Sequence, residues 1–255
     1  MSGRLAIVGL GPGATDLLCP RAASALAAAT DLVGYGPYLA RVTDRPGQHR
    51  HGSDNRVEAE RARHALALAA AGRTVALVSA GDAGVFGMAA AVFEVIEQGD
   101  PRWRELEVVV HPGVSAVLAA AARLGAPFGN DFCVLSLSDN LKPWPLILDR
   151  LTAAACAGFA LALYNPLSKA RPWQLGEALD RLRRHLPGTV PVAFARAISR
   201  PDEQVVVTDL ATARAEQADM RTLVVVGTAE TRIIRRPGHD PWVYTPRSVG
   251  RDRAQ

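Results

Sequence analysis

Several large classes of protein are excluded by what this sequence has little of. Cysteine is scarce: Cys19, Cys133 and Cys156 lie far apart with no C-x-x-C pair. Neither a disulfide framework nor a thiolate zinc site is indicated, and each is expected to act as a small core hydrophobe. Aromatic residues make up 5% of the chain and the basic residues are scattered. That argues against nucleic acid as a partner, which needs clustered cations beside stacking rings. No apolar run approaches the ~18 residues that cross a bilayer, and the opening MSGRLAIVGLG has no basic lead before a cleavable apolar segment. No membrane partner and a cytoplasmic location are expected. Neither G-x-S-x-G nor a P-loop lysine occurs, which removes common hydrolase and NTPase signatures. The six histidines are not spaced as a ligand set. His49 and His51 are expected in a polar loop, His64 and His185 on helix surfaces and His111 at a strand end, and no metal site is predicted.

Lysine is nearly missing too. Lys142 and Lys169 are the only two, so arginine supplies almost all of the 29 cationic residues behind a formal charge of +4. Arginine suits bidentate recognition of carboxylate or phosphate, so the balance points toward an anionic small-molecule partner.

What is present is a large apolar content, 49% of 255 residues, enough for one large core or two of about 120 residues each. Runs of Val, Leu and Ile alternate with Ala-rich stretches of helical spacing, the rhythm of β-α-β units around a mostly parallel sheet. Strands are predicted at Leu5–Leu10, Asp31–Tyr35, Thr74–Ser79 and Glu107–His111, with helices at Pro20–Ala29, Val57–Ala71, Gly84–Gln98 and Val114–Leu124. The turn-rich segment GAPFGND, Gly125–Asp131, breaks the rhythm. The reading is α/β, two α/β domains, residues 1–125 and 126–255. In the second, strands are predicted at Phe132–Leu137, Phe159–Tyr164, Val190–Ala195, Gln204–Thr208 and Leu223–Val226, and helices at Pro145–Ala157 and Pro172–Leu186. The late strands lie close together without long helices between them, which predicts a mixed sheet. The tail from Arg235 to Gln255 is expected to form a surface strand followed by disorder.

The first strand runs into GLGPGA, and Gly9, Gly11 and Ala14 satisfy G-x-G-x-x-A literally. Three features oppose a dinucleotide site. Pro12 stands where an amide should face a pyrophosphate, and it has no N–H. The helix begins near Pro20, too late for its dipole to reach a phosphate at the loop. Asp31 opens the second strand, whereas a ribose-binding acid would close it. The loop still lets backbone come close to something bulky.

Ligands of open α/β sheets bind beyond the carboxyl ends of the strands, and polar residues recur there. In SAGDAGVFG, Asp82 either caps the next helix or meets a ligand; in HPGVSAV, Ser115 has the same two readings. Asn165 of YNP either makes an Asx turn or faces the ligand. Tyr35 and Tyr38 of GYGPY serve either as packing or as walls for a flat ligand.

Taken together, VGLGPGATDLLCPRA, VSAGDAGVFGMA, HPGVSAV, LYNPLSKARPWQL and TLVVVG, in this order from Leu5 to Gly227, resemble the tetrapyrrole methylases, which methylate uroporphyrinogen and corrin precursors. GYGPY, LGAPFGNDFCVLSLSDNLKPW and YNPLSKARPWQL are similar to the branch that methylates C17 of precorrin-3B and contracts its ring. Ala83 stands where proline is common and Phe86 where tyrosine is common. The resemblance implies two α/β domains in a homodimer, with S-adenosylmethionine in the cleft between the domains, S-adenosylhomocysteine as its product, and precorrin-3B as substrate. It assigns Pro12, Ala80, Gly81, Asp82, Val85, Ser115, Ala116, Asn165, Ala197, Ile198 and Thr222 to the cofactor. Gly11, Gly13, Tyr35, Tyr38, Ser138 and Lys142 would face the macrocycle. Asp139 and Tyr35 are the candidates for catalysis, though Asp139 also fits a plain turn after a strand. Arg171 and Arg196 are candidates to meet substrate carboxylates. Methylation at C11 of precorrin-4, or at C17 of a cobalt-bearing substrate, remains an alternative within the family. A dinucleotide oxidoreductase is the alternative outside it.

Overall fold

A computed structural model describes residues 3–248 of the chain, which divides into two compact units, Met1–Ala116 and Val117–Gln255. In the first, β1 (Arg4–Gly9), β2 (Asp31–Tyr35), β3 (His49–Ser53), β4 (Thr74–Ser79) and β5 (Glu107–His111) form one sheet in the order β3-β2-β4-β1-β5. All its pairings are parallel. The pleat sends alternate residues to opposite faces. Leu5, Ile7, Val75 and Leu77 therefore pack against α3 (Glu58–Ala70) and α4 (Met88–Gln98). Ala6, Val8, Ala76 and Val78 pack on the other side against α1 (Pro20–Ala28) and the one-turn α2 (Gly36–Leu39). Both faces are covered, as a parallel sheet requires.

Strand β3 is the main element the sequence does not announce. HRHGS has no apolar alternation, because it is an edge strand with β2 as its one neighbour. His49 and His51 thus lie on a strand, not in a loop. His51 Nε2 is 3.0 Å from Asp31 Oδ1, and the Arg73 Nε donates to Asp31 Oδ2 at 2.7 Å. Burial alone would raise the Asp31 pKa, but hydrogen bonds from Arg73, Thr30 and His51 overcome it and hold the carboxyl at about 2. His64, on α3, lies 4.8 Å from the His51 ring; burial, then the neighbouring His51, pushes its pKa down. His111 closes β5, and burial with Arg4 and Arg21 nearby favours its neutral form. His185 falls in the turn after α7 (Gln174–Arg183) rather than on it. No group of three or more metal-ligating side chains exists among the described residues.

The second unit carries β7 (Phe132–Ser136), β8 (Ala160–Tyr164), β9 (Pro191–Arg196), β10 (Gln204–Asp209) and β11 (Thr222–Val226), in the order β10-β9-β11-β8-β7. Only β7 and β8 pair in parallel, so the sheet is mixed. Its core combines Leu161, Leu163, Val192, Phe194, Val224 and Val226 with the apolar stripes of α6 (Trp144–Cys156) and α7. α5 (Ala116–Leu124) leads into β6 (Gly125–Ala126), which pairs in parallel with β13 (His239–Tyr244); β12 (Arg232–Arg236) flanks β13. The tail expected as a lone strand is therefore a hairpin built into a three-stranded sheet. The expected disorder at residues 249–255 lies outside the described residues. Cys19 and Cys133 are partly buried, but Cys156 ends α6 off its apolar stripe and is exposed, so it is no core hydrophobe. No helix among the described residues is long and apolar enough to cross a membrane.

Candidate functional site

Because β1, β4 and β5 run parallel, the segments that follow them emerge on one edge of the first sheet. There they are joined backbone to backbone. Gly11 and Gly81 exchange both of their backbone hydrogen bonds, at 3.1 and 3.0 Å, and Leu10 N–H donates to Ser79 at 2.8 Å. A Cβ on Gly113 would overlap the Gly81 carbonyl. Gly81 itself has φ +62°, which a side chain would strain. Gly9 and Gly11 therefore serve loop-to-loop contact, which is why the dinucleotide pattern is satisfied without its chemistry. The helix does begin at Pro20, and Asp31 does open its strand, its buried carboxylate paired with the half-exposed Arg73.

Asp82 completes this junction. Its Oδ1 accepts the Gly84 N–H at 2.8 Å and its Oδ2 accepts the Gly113 N–H at 2.9 Å. It is not the cap of α4, which starts at Met88 instead of Gly84; the Met88 N–H donates to Ser79 Oγ at 3.3 Å, and the residues between form the turn that Asp82 braces. Ser115 is buried just before α5, and Gly81 faces Ser115 and Ala116. Beside them Val85 and Phe86 are exposed apolar side chains, Phe86 with φ +51°. Tyr35 and Tyr38, at the end of β2, stack edge to face with ring centres 5.2 Å apart. Arg41, which no local pattern in the sequence marks, donates from Nη2 to the carbonyls of Leu10 at 3.2 Å and Gly11 at 2.9 Å.

In the second unit the predicted residues share one sheet edge, formed by the carboxyl ends of β7, β8 and β9 and the start of β11. Side chains make the bonds here, to one another and to backbone. Ser136, buried and also unforeseen, accepts at Oγ from Asn165 Nδ2 at 2.9 Å and from the Ser138 N–H at 3.3 Å. Lys142 Nζ donates to the Ser136 carbonyl at 3.4 Å, and burial, with Arg150 near, lowers its pKa. Asp139 accepts at Oδ2 from buried Gln174 at 3.1 Å, with Arg171 Nε 4.0 Å from Oδ1. Arg171 is itself buried and donates to the carbonyls of Leu137 and Asn165. Arg196 is paired with Asp219 at 2.7 Å and Asp202 at 3.3 Å. Both arginines are held by internal partners, which opposes their expected role on substrate carboxylates. The Thr222 hydroxyl donates to Asp219 Oδ1 at 2.9 Å, the carboxylate that also receives Arg196, and the Ala197 N–H donates to the Arg221 carbonyl at 2.9 Å.

Positive φ in residues other than glycine occurs at Arg56, Phe86, Asn165, Ala197 and Ser199 among the described residues. Apart from Arg56, these fall at or beside positions predicted for the donor. Such backbone costs of order 1–3 kcal/mol and gathers at ligand sites. Open backbone at these positions and the exposed apolar side chains of Val85 and Phe86 offer a ligand close backbone approach and van der Waals contact.

Comparison with known proteins identifies the family. A protein of Sinorhizobium sp named precorrin-3B C(17)-methyltransferase is 57% identical over 247 residues, covering 97% of each chain. The crystal structure of the methyltransferase CobJ matches with a TM-score of 0.91 at 50% identity, over 96% of this chain and 100% of that one. A uroporphyrin-III C-methyl transferase from Thermus thermophilus, complexed with S-adenyl homocysteine, shares the fold at 24% identity and a TM-score of 0.65, over 88% of this chain and 97% of that one. The family model of the Tetrapyrrole (Corrin/Porphyrin) Methylases matches residues 4–214. The chain belongs to the tetrapyrrole methylases.

Proposed function

We propose that this protein transfers a methyl group from S-adenosylmethionine to C17 of precorrin-3B, with contraction of the macrocycle, in cobalamin biosynthesis. The observation that carries the reading is the 57% identity to the Sinorhizobium enzyme across nearly the whole of both chains. When bound, the donor supplies a sulfonium methyl: a carbon–carbon bond forms at C17 as the carbon–sulfur bond breaks, and its electron pair leaves on sulfur.

The chain's part is alignment, which can be worth ~7–11 kcal/mol when the reacting atoms are held near contact distance. In the first unit Pro12, Ala80, Gly81, Val85, Ser115 and Ala116 hold the donor, with Asp82 acting through the backbone it fixes. Asn165, Ala197, Ile198 and Thr222 contribute from the second. Gly11, Gly13, Tyr35, Tyr38, Ser138 and Lys142 face the macrocycle. Ring contraction requires the C20 hydroxyl to lose a proton and a ring nitrogen to gain one. Asp139, oriented by Gln174 and Arg171, takes the proton, and Tyr35 polarises the group it leaves. On this reading the protein works in the cytoplasm as a homodimer, and light scattering is expected to return a mass twice that of the chain.

The test is incubation with methyl-labelled S-adenosylmethionine and precorrin-3B, followed by mass and carbon NMR of the product. Label at C17 of a contracted ring is expected. Label at C11, or none, refutes the assignment.

A further inference from the structure

We propose that a cavity beside the glycine loop of the first unit is a subsite for one carboxylate arm of the macrocycle, with Arg41 as its anchoring cation and Arg45 at its rim. The inference rests on the tetrapyrrole reading above and extends it to residues not assigned to substrate there. The cavity has a volume of about 160 Å³ and is lined by Gly13, Leu18, Leu26, Val42, Arg41 and Arg45, among others. That is too small for a macrocycle and suits a short methylene arm: apolar side chains meet the methylenes and guanidinium groups meet the carboxylate, which arginine recognises in bidentate fashion.

The site is built in advance of any ligand. Arg41 is fixed against the glycine loop by its hydrogen bonds to the Leu10 and Gly11 carbonyls. The segment that bears it is fixed in turn by Arg50, which donates to the carbonyls of Leu39 and Val42, each at 2.8 Å, and pairs with Asp44 at 2.6 Å. Asp44 is thus matched by Arg50, and Arg45 has no carboxylate partner among the described residues. Arg171 and Arg196, by contrast, are held by carboxylates of their own unit.

The test uses the full chain and uroporphyrin III, a stable polycarboxylate porphyrin, titrated by its fluorescence at low and high salt. Arg41→Met is expected to weaken binding about tenfold, the loss of one charge-assisted hydrogen bond. Arg45→Met, which touches no loop carbonyl, is expected to weaken it about threefold, with a smaller salt dependence. Arg41→Lys should recover part of the loss, because the charge returns without the planar fork. Affinity for S-adenosylhomocysteine, read by calorimetry, should be unchanged in Arg45→Met, which separates the subsite from damage to the loop. Wild-type affinity for uroporphyrin in both Arg45→Met and Arg41→Lys overturns the subsite, as does failure of the wild type to bind the porphyrin. Failure of the wild type to methylate precorrin-3B, with the porphyrin series intact, removes the proposed reaction and leaves the subsite standing.

Discussion

The two units build their ligand edges from different materials. The first uses peptide groups: Gly11 bonded to Gly81, Gly113 pressed on the Gly81 carbonyl, and one carboxylate, Asp82, receiving amides from two loops. The second uses side chains, with Ser136 gathering Asn165 and Ser138, Gln174 holding Asp139, and Asp219 joining Arg196 and Thr222. Backbone junctions fail as a whole when a single atom is added, whereas side-chain networks lose one bond at a time. Substitutions in the first unit should therefore be severe and spread beyond the altered residue, and those in the second graded and local.

The largest effect is expected from Gly113→Ala, whose new methyl would overlap the Gly81 carbonyl and press on the Gly9 backbone. A loss of about 3 kcal/mol in urea unfolding is expected, together with loss of S-adenosylhomocysteine binding by calorimetry. Wild-type values in both would break the comparison at its strongest point. Asp139→Asn comes next on the other side. Ring contraction should slow about a hundredfold, the scale of a lost general base, while donor affinity holds. Full turnover by that variant would take Asp139 out of the reaction. Asp82→Ala leaves two amides without their acceptor and should cost about 2 kcal/mol of donor binding; unchanged affinity would mean that the junction does not shape the donor site.

Asp31 offers a control away from both edges. Its folded pKa lies below its ordinary value, so its contribution is complete above about 4 and is lost as the pH falls through about 2. Asp31→Asn should cost about 2 kcal/mol at neutral pH, with the gap to wild type closing across that acid window and donor binding untouched. The smallest effect is expected from Ser136→Ala, about 1 kcal/mol of stability, with a modest loss of donor affinity through Asn165. A collapse as large as that of Gly113→Ala would erase the distinction between the units.

The same contrast explains what was legible in the sequence. Buried parallel strands such as LAIVG and TVALVS declare themselves by continuous apolar runs, and glycine with proline marks the loops after them. The polar edge strand HRHGS has neither signal and reads as a loop. Asp82 could be singled out from GDAG, but not its bond to Gly113, thirty-one residues away. Ser136, Gln174 and Arg41 act through partners that only tertiary structure brings near, so no spacing rule reveals them. Arg171 and Arg196 show the converse. Their position at strand ends suggested a ligand role, and the internal carboxylates that hold them lie at no fixed sequence distance.

A surface made of peptide groups offers natural variation almost nothing to retune, because every residue type but proline presents the same amide and a side chain on Gly9 or Gly113 would overlap backbone. Relatives that handle other rings would have to inherit the Gly9–Gly11, Gly81 and Gly113 weld nearly intact. Divergence in which carbon is alkylated would then be written in the more forgiving lattice of serine, asparagine, lysine and arginine in the second unit.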